Sequence, residues 1–355
     1  MIERLLICTQ TFPPRMGGIE AVMLSLATKF SNAGVDTLVA TDKPYKEVSE
    51  FKVCSFAVPR LIRSFAKRIL LDLKNFNPDV TICDSWKSLR ALPRKSGKVI
   101  VLAHGQEYLE HERKAEIIRS LLSRADIVVA SSHMTANLVR RVAPNIPIEV
   151  IYPTYMLNTP GELKKSHNSV PLIVSICRIE RRKGLLQSAE ALISLYNKGY
   201  RFRWVIGGSG PALGRLKEKI SESAISGNSE VLGRISESTK QDLLARADLF
   251  LMPSYQEGHS LEGFGISYIE ASSYGVPAIG GETGGAPEAV LDQQTGWCVD
   301  GKDPSAIESA LQDALLDTDK RKAFGELAVM RFSDDLVSDR AFDKLTSIIK
   351  QICLS

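Results

Sequence analysis

At 355 residues the chain is too long for one ordinary core, so two domains are the expectation. Its 44% apolar and 24% charged residues, without low-complexity tracts, exclude a disordered or fibrous chain, and no apolar run approaches the length of a membrane-spanning helix. The net charge of +4 is unevenly placed: residues 1–160 hold 22 Lys+Arg against 15 Asp+Glu, and residues 51–100 hold 11 against 3, so the first half is expected to face something anionic.

In chain order, "MIERLLICTQTF" reads as a short strand with no cleavable signal pattern, which predicts a cytoplasmic protein. The strands expected after "RLLICTQ" are "DTLVATD", "VCSFAVP", "DVTICDS", "VIVLAHG", "DIVVASS" and "IEVIYPT". Most are continuous apolar runs, the pattern of parallel strands buried on both faces. Helical patterns lie between them, for example Ile19 to Ala33, ending at Gly34. This half reads as a doubly wound α/β domain. Within it, residues 59–76 ("PRLIRSFAKRILLDLKNF") are amphipathic and basic. Leu61, Ile62, Phe65, Ile69, Leu73 and Phe76 keep a helical period, and Arg60, Arg63, Lys67, Arg68 and Lys74 lie largely elsewhere. Such a helix either lies on an anionic membrane surface or covers the sheet with its polar face in water. Six scattered cysteines form no C-x-x-C pair and read as buried reduced thiols.

Pro153 to Pro171 is polar and broken by proline and glycine, so it reads as a linker between domains 1–160 and 161–335. The alternation then restarts: "LIVSICR", a helix from about Leu185 to Lys198, "FRWVIGG", a helix near Leu213 to Ser221, "EVLGRI", "ADLFLMPS", a helix within "EGFGISYIEASSYG", "VPAIGG" and "GWCVD". Residues 336–355 read as a final helix that returns to the first domain. Two doubly wound domains facing a cleft are the expected architecture, with ligands beyond the carboxyl ends of the strands.

The loops leaving strands carry the candidate chemistry. In "CRIERRKGLL", Arg178 follows a strand and Lys183 precedes a helix, an arrangement suited to an anion such as a diphosphate. "GGSGP", with Gly208 and Gly210, is a small-residue loop that lets amides approach a ligand, but it is not a full dinucleotide fingerprint. "MPSYQEGHSLEGFG" brings Glu262 to a loop and Gly263, Phe264 and Gly265 to a helix start that suits a phosphate. Glu270 follows two turns on, and each carboxylate is able to accept from a pair of hydroxyls. "GGETGGAPEAV" is a further glycine-rich turn into a helix. In the first half, Gly17 and Gly18 follow the first strand, and His104 ends another. No D-x-D ends a strand, so no metal-bridged diphosphate is expected. Metalloprotease, nucleophile-elbow and nucleic-acid-binding patterns are absent too, so no metal, cofactor or nucleic-acid partner is expected.

As a set, these loops resemble the retaining GT-B glycosyltransferases of glycosyltransferase family 4, over nearly the whole chain. The most specific part is Glu262-x7-Glu270 within "EGFGISYIEASSYGVPAIGGETGGAPEAV", backed by "RIERRKG" and "GGSGP". "FPPRMGGIE" and "GGAPEAV" look most like phosphatidylinositol mannoside-type mannosyltransferases. The resemblance implies an acceptor-side first domain and a second domain that binds a nucleotide-diphosphate sugar, with GDP-mannose the favoured donor. Arg178 and Lys183 would pair with the diphosphate, Glu270 with the ribose and Glu262 with the donor sugar. Amides of Phe264 and Gly265 would join them, His104 would contact the sugar, and Gly17 and Gly18 would let the first loop close over phosphate. The acceptor would be a hydroxyl of a glycan or glycolipid in envelope glycoconjugate or polysaccharide synthesis. The chain departs from the pattern at Thr11, where relatives often carry an acid before "FPP", at "IYPTYML", and in the longer "YQEGHSL" loop, whose His259 becomes a further candidate. A nucleotide-sugar epimerase and a non-catalytic nucleotide-sugar-binding partner are the rival readings.

Overall fold

A computed structural model describes residues 2–14, 17–45, 48–56, 58–59, 61–109, 114–157, 160 and 170–354. The chain divides into two compact units, residues 1–157 with 338–355, and residues 158–337. Most of the stretch read as a linker, 158–159 and 161–169, lies outside the described residues, as does Arg60.

The first unit is built on seven strands: β1 (Arg4–Cys8), β2 (Asp36–Thr41), β3 (Lys52–Ser55), β4 (Val80–Cys83), β5 (Lys98–Ala103), β6 (Ile127–Ala130) and β7 (Ile148–Val150). All pairings are parallel, in the order β3-β2-β1-β4-β5-β6-β7. The strand order therefore reverses between β1 and β4. The apolar runs explain the sheet: β4 and β6 are buried at every position, as strands covered on both faces must be. Its helices are α1 (Gly18–Asn32), α2 (Arg63–Lys74), α3 (Ala115–Leu122) and α4 (His133–Val142). Ser132 caps α4, its hydroxyl accepting from the Thr135 amide at 3.0 Å.

Helix α2 turns its faces opposite to the usual arrangement. Lys67 and Leu71 are its buried residues, whereas Leu61 and Leu73 are 99% and 76% exposed and Ile62, Phe65, Ile69 and Leu70 are exposed with them. Leu71 still packs α2 on Leu6, Leu38 and Ala40 of the sheet and Arg68 and Lys74 stand in water, but the helix leaves an apolar stripe exposed beside them. The cause is a buried ion pair: Lys67 Nζ donates to Asp42 Oδ1 at 2.6 Å and to the Thr9 carbonyl at 3.0 Å, and Arg63 donates to Asp42 Oδ2 at 3.1 Å. Losing one partner of such a pair typically costs about 3–5 kcal/mol, because the other charge stays buried.

The second unit has six parallel strands: β8 (Leu172–Ile176), β9 (Arg203–Gly207), β10 (Ser229–Gly233), β11 (Leu249–Met252), β12 (Ala278–Gly281) and β13 (Gly296–Val299). Their order is β10-β9-β8-β11-β12-β13, with the reversal between β8 and β11. Helices α5 (Leu185–Asn197), α6 (Leu213–Ser221), α7 (Glu237–Arg246), α8 (Ile266–Ser273), α9 (Ala286–Ala289), α10 (Pro304–Leu316) and α11 (Thr318–Arg331) surround the sheet. Trp204 is fully buried in this core, and its indole N–H donates to Ser175 Oγ at 3.0 Å. Truncating a core tryptophan typically costs about 3–5 kcal/mol.

Helix α12 (Ser338–Leu354) belongs to the first unit. Buried Ser338 donates to the Tyr155 carbonyl at 2.6 Å, Phe342 meets Phe30 edge-on at 4.8 Å, and Lys29 pairs with Asp339 at 2.8 Å. Of the cysteines, Cys8 and Cys83 are buried, but Cys54, Cys177 and Cys298 are half-buried and Cys353 is exposed. The reading of six buried thiols holds only for the two at the sheet centre.

Candidate active site

In doubly wound sheets the strand-order reversal leaves a crevice at the strands' carboxyl ends. In the second unit that place lies between the loops after β8 and β11. The first loop carries Arg178 and Lys183, and the second carries Glu262. Sequence positions about 80 residues apart therefore meet for a topological reason.

Lys183 is 7% exposed and its ammonium is hydrogen-bonded to Glu262 Oε2. Arg182, half-buried, faces the same oxygen at 3.4 Å and also donates to Glu180 Oε2 at 3.0 Å. Burial alone would raise the Glu262 carboxyl. The Lys183 ammonium and the Arg182 guanidinium outweigh it and hold Glu262 below the ordinary carboxylate value. Arg178 is 64% exposed and pairs with Glu180 Oε1 at 2.9 Å. These groups form one network, and Arg182 is a member that the sequence did not single out. Its only signal was adjacency to Lys183.

The backbone of "EGFG" explains how Glu262 is held. Gly265 stands at φ 94°, before the first residue of α8, where a side chain would be strained and would overlap the Tyr268 ring. Phe264 is 2% exposed, so its ring anchors the turn. The Gly285 amide donates to the Glu262 carbonyl at 2.8 Å, and a Cβ at Gly285 would overlap the Gly263 carbonyl. The glycine-rich turn before α9 thus packs directly on the loop that carries Glu262. Similarly, side chains at Gly208 and Gly210 would strike the carbonyls of Cys177 and Ile179. Those two glycines are required by the neighbouring Arg178 loop, whatever ligand binds.

Glu270 lies on α8, and its carboxylate pairs with Lys240 of α7. Burial pushes the Glu270 carboxyl above its ordinary value, and Lys240 opposes this only in part. The two glutamates therefore shift in opposite directions and answer to different cations. His259 is exposed on the turn closed by Glu257 and Ser260, and Glu257 of that turn pairs with Arg181 at 3.4 Å.

In the first unit, the reversal lies between β1 and β4. Asp84, 2% exposed and just past β4, accepts through Oδ2 from Thr9 Oγ1 at 2.8 Å, the Gln10 amide at 2.8 Å, and the Thr11 amide and hydroxyl at 3.2 and 3.1 Å. Its Oδ1 accepts from Ser88 Oγ at 2.5 Å. This carboxylate, missed in the sequence, holds the loop that leads toward Gly17 and Gly18, which are exposed at the start of α1. His104, half-buried, bonds through Nε2 to the Asp84 carbonyl at 3.0 Å, so that nitrogen carries the proton. Its amide donates to Glu107 Oε1 at 2.7 Å.

Two all-parallel doubly wound units, with cations and glutamates gathered at the switch point of the second, define a GT-B glycosyltransferase. The family described as "Glycosyltransferase Family 4" matches residues 16–155, and that described as "Glycosyl transferases group 1" matches residues 162–329. The chain belongs to glycosyltransferase family 4. Among its relatives is the GDP-mannose-dependent alpha-(1-6)-phosphatidylinositol monomannoside mannosyltransferase of Mycobacterium tuberculosis (strain ATCC 25618 / H37Rv). It is 25% identical over 356 residues, covering 91% of this chain and 92% of the relative. The protein of the same description from Mycolicibacterium smegmatis is 27% identical over 359 residues, covering 90% and 91%. The crystal structure of Anabaena HepE with UDP and glucose superposes with a TM-score of 0.79 at 16% identity, over 98% of this chain and 100% of that one. That likeness shows the shared fold.

Proposed function

We propose that the chain is a retaining, metal-independent hexosyltransferase that moves mannose from GDP-mannose to a hydroxyl of a glycan or glycolipid. The observation that carries this is the Lys183–Glu262–Arg182 network at the β8/β11 switch point, where a nucleotide diphosphate is expected in such a sheet. The choice of donor leans on the full-length mannosyltransferase relatives.

In this reading Lys183 and Arg178 neutralise the departing diphosphate. Arg182 also faces Glu262, so Lys183 is able to turn toward a phosphate without stranding that carboxylate. Glu262 then accepts from the sugar hydroxyls and Glu270 from the ribose. Both are paired with lysines on separate elements, which favours holding roles over a nucleophile–acid couple. The acceptor hydroxyl attacks the anomeric carbon on the face the diphosphate leaves, and its proton passes to the departing phosphate oxygen. His104, Gly17 and Gly18 keep the sugar- and phosphate-contacting roles that the resemblance implies.

We also propose that residues 61–76 rest on an anionic membrane surface from the cytoplasmic side. The exposed apolar stripe of α2 supports this, together with the exposed cations Arg68, Lys74, Arg94 and Lys95 beside it. Phe65, Ile69, Leu73 and Phe76 line a groove of about 640 Å³ on the same side, with Arg68, Arg94 and Lys95 on its lining. Among the described residues no helix is long and apolar enough to cross a membrane.

The test is a panel of nucleotides and nucleotide sugars read by thermal shift, followed by transfer from the best donor to a glycolipid acceptor. GDP and GDP-mannose are expected to give the largest stabilisation, since a ligand at 100 times its Kd adds about 2.7 kcal/mol. A shift with UDP-sugars alone overturns the donor assignment, and no shift with any member overturns the site.

A further inference from the structure

We propose that Lys240 is a positioning residue: it keeps Glu270 ionised and aimed as the acceptor of the donor's ribose hydroxyls. This rests on the ribose assignment of Glu270 made above. Lys240 sits on α7, one turn in from the capping Ser236, and its side chain is 19% exposed. Its ammonium is hydrogen-bonded to Glu270 Oε1 and pairs with Glu237 Oε1 at 2.9 Å. Glu270, on α8, is 17% exposed. No other cation pairs with Glu270 among the described residues.

The comparison with Glu262 shows why a single cation matters. Glu262 faces two cations and stays below its ordinary value despite burial. Glu270 faces one, and burial wins: its carboxyl is raised, with Glu237 adding to the rise and Lys240 opposing it. Tyr274, at the end of α8, also faces this group, but burial raises its phenol, so it stays neutral across the working range. Lys240 is itself held charged by Glu270 and Glu237 against the opposing effect of burial. An ionised carboxylate offers about four lone-pair sites, enough for Lys240 and a pair of hydroxyls. A protonated Glu270 would have to donate one bond and lose part of that capacity. Taking Lys240 away removes the one influence that holds the carboxyl down, so Glu270 would protonate at a higher pH.

Lys240→Met, Lys240→Arg and Glu270→Gln test the assignment by calorimetric titration with GDP and UDP from pH 5.5 to 8.5. The same titrations use the 2′,3′-dideoxy form of whichever nucleotide binds. For Lys240→Met, a several-fold loss of affinity is expected at pH 5.5, shrinking to within about twofold of wild type at pH 8.5, because a Glu270 carboxyl moved further up is more protonated only in the acid part of the range. Lys240→Arg should follow the wild-type pH profile. The dideoxy nucleotide, with no ribose hydroxyls, should bind wild type and Lys240→Met alike. A Lys240→Met loss that is equal at every pH, or equal for the dideoxy ligand, makes Lys240 merely structural and overturns the inference. So does no loss at all while Glu270→Gln weakens binding. If Glu270→Gln leaves ribonucleotide affinity unchanged, or the wild type binds neither nucleotide, the ribose assignment falls and the inference falls with it.

Discussion

Replacing Lys183 with alanine separates the structural from the chemical use of its charge. The side chains of Lys183 and Glu262 are 9% and 14% exposed, so their attraction is little screened by water. Losing one partner of a buried pair usually costs about 3–5 kcal/mol. In this network Arg182 still faces Glu262 at 3.4 Å, which keeps roughly half of that, leaving about 2 kcal/mol. For a unit of this size that is a fall of about 4–8 °C in Tm. The effect on turnover should be larger, about 10²–10³-fold, if Lys183 stabilises the leaving diphosphate. Lys183→Ala combined with Glu262→Ala removes the stranded carboxylate, so the double variant should recover stability over Lys183→Ala while its turnover stays low. Glu262 is held below its ordinary 4.5, so the pair's contribution is full above pH 4.5 and lost as pH falls through the lower folded value. The stability gap between wild type and Lys183→Ala should therefore narrow only in acid. Thermal unfolding and steady-state transfer measure the two effects. A Lys183→Ala enzyme with turnover within about threefold of wild type would refute the assignment, since a lost preorganised donor typically costs far more.

Other outcomes follow from single features. Gly265→Ala forces a side chain into a left-handed backbone and against Tyr268, so it should destabilise by about 1–3 kcal/mol in urea unfolding and lower donor affinity with it. Under the metal-independent proposal, EDTA should leave transfer rates unchanged, and a loss restored by a divalent cation would defeat that part. Phe65→Glu with Leu73→Glu should abolish co-sedimentation with phosphatidylglycerol vesicles at low salt without changing Tm by more than about 2 °C, because both side chains are already exposed. Wild-type chain that stays in the supernatant at low salt would retire the membrane surface.

Much of the fold was legible because its strands are buried on both faces. Runs such as "DVTICDS" and "DIVVASS" show this as unbroken apolarity, and α6 over Leu213–Ser221 follows from its periodicity. The spacing of Glu262 and Glu270 was also visible, as was the pair of basic positions at Arg178 and Lys183. The partners of these groups were not. Arg182 meets Glu262 only because β8 and β11 are neighbours, and Lys240 meets Glu270 only because α7 and α8 approach. Periodicity assigned α2 an apolar face but not its direction. That depends on Lys67 finding Asp42 inside the unit, a pairing set by tertiary packing. Asp84 was silent for a similar reason: a lone aspartate after a strand shows nothing of the four donors from Thr9, Gln10 and Thr11 that it gathers.

The anomeric configuration of the product tests the central claim most directly. Proton NMR of the first-formed glycoside from GDP-mannose should show the α linkage of the donor retained. A β-linked product would mean attack from the opposite face and would contradict the proposed roles of Arg178, Lys183, Glu262 and Glu270 together.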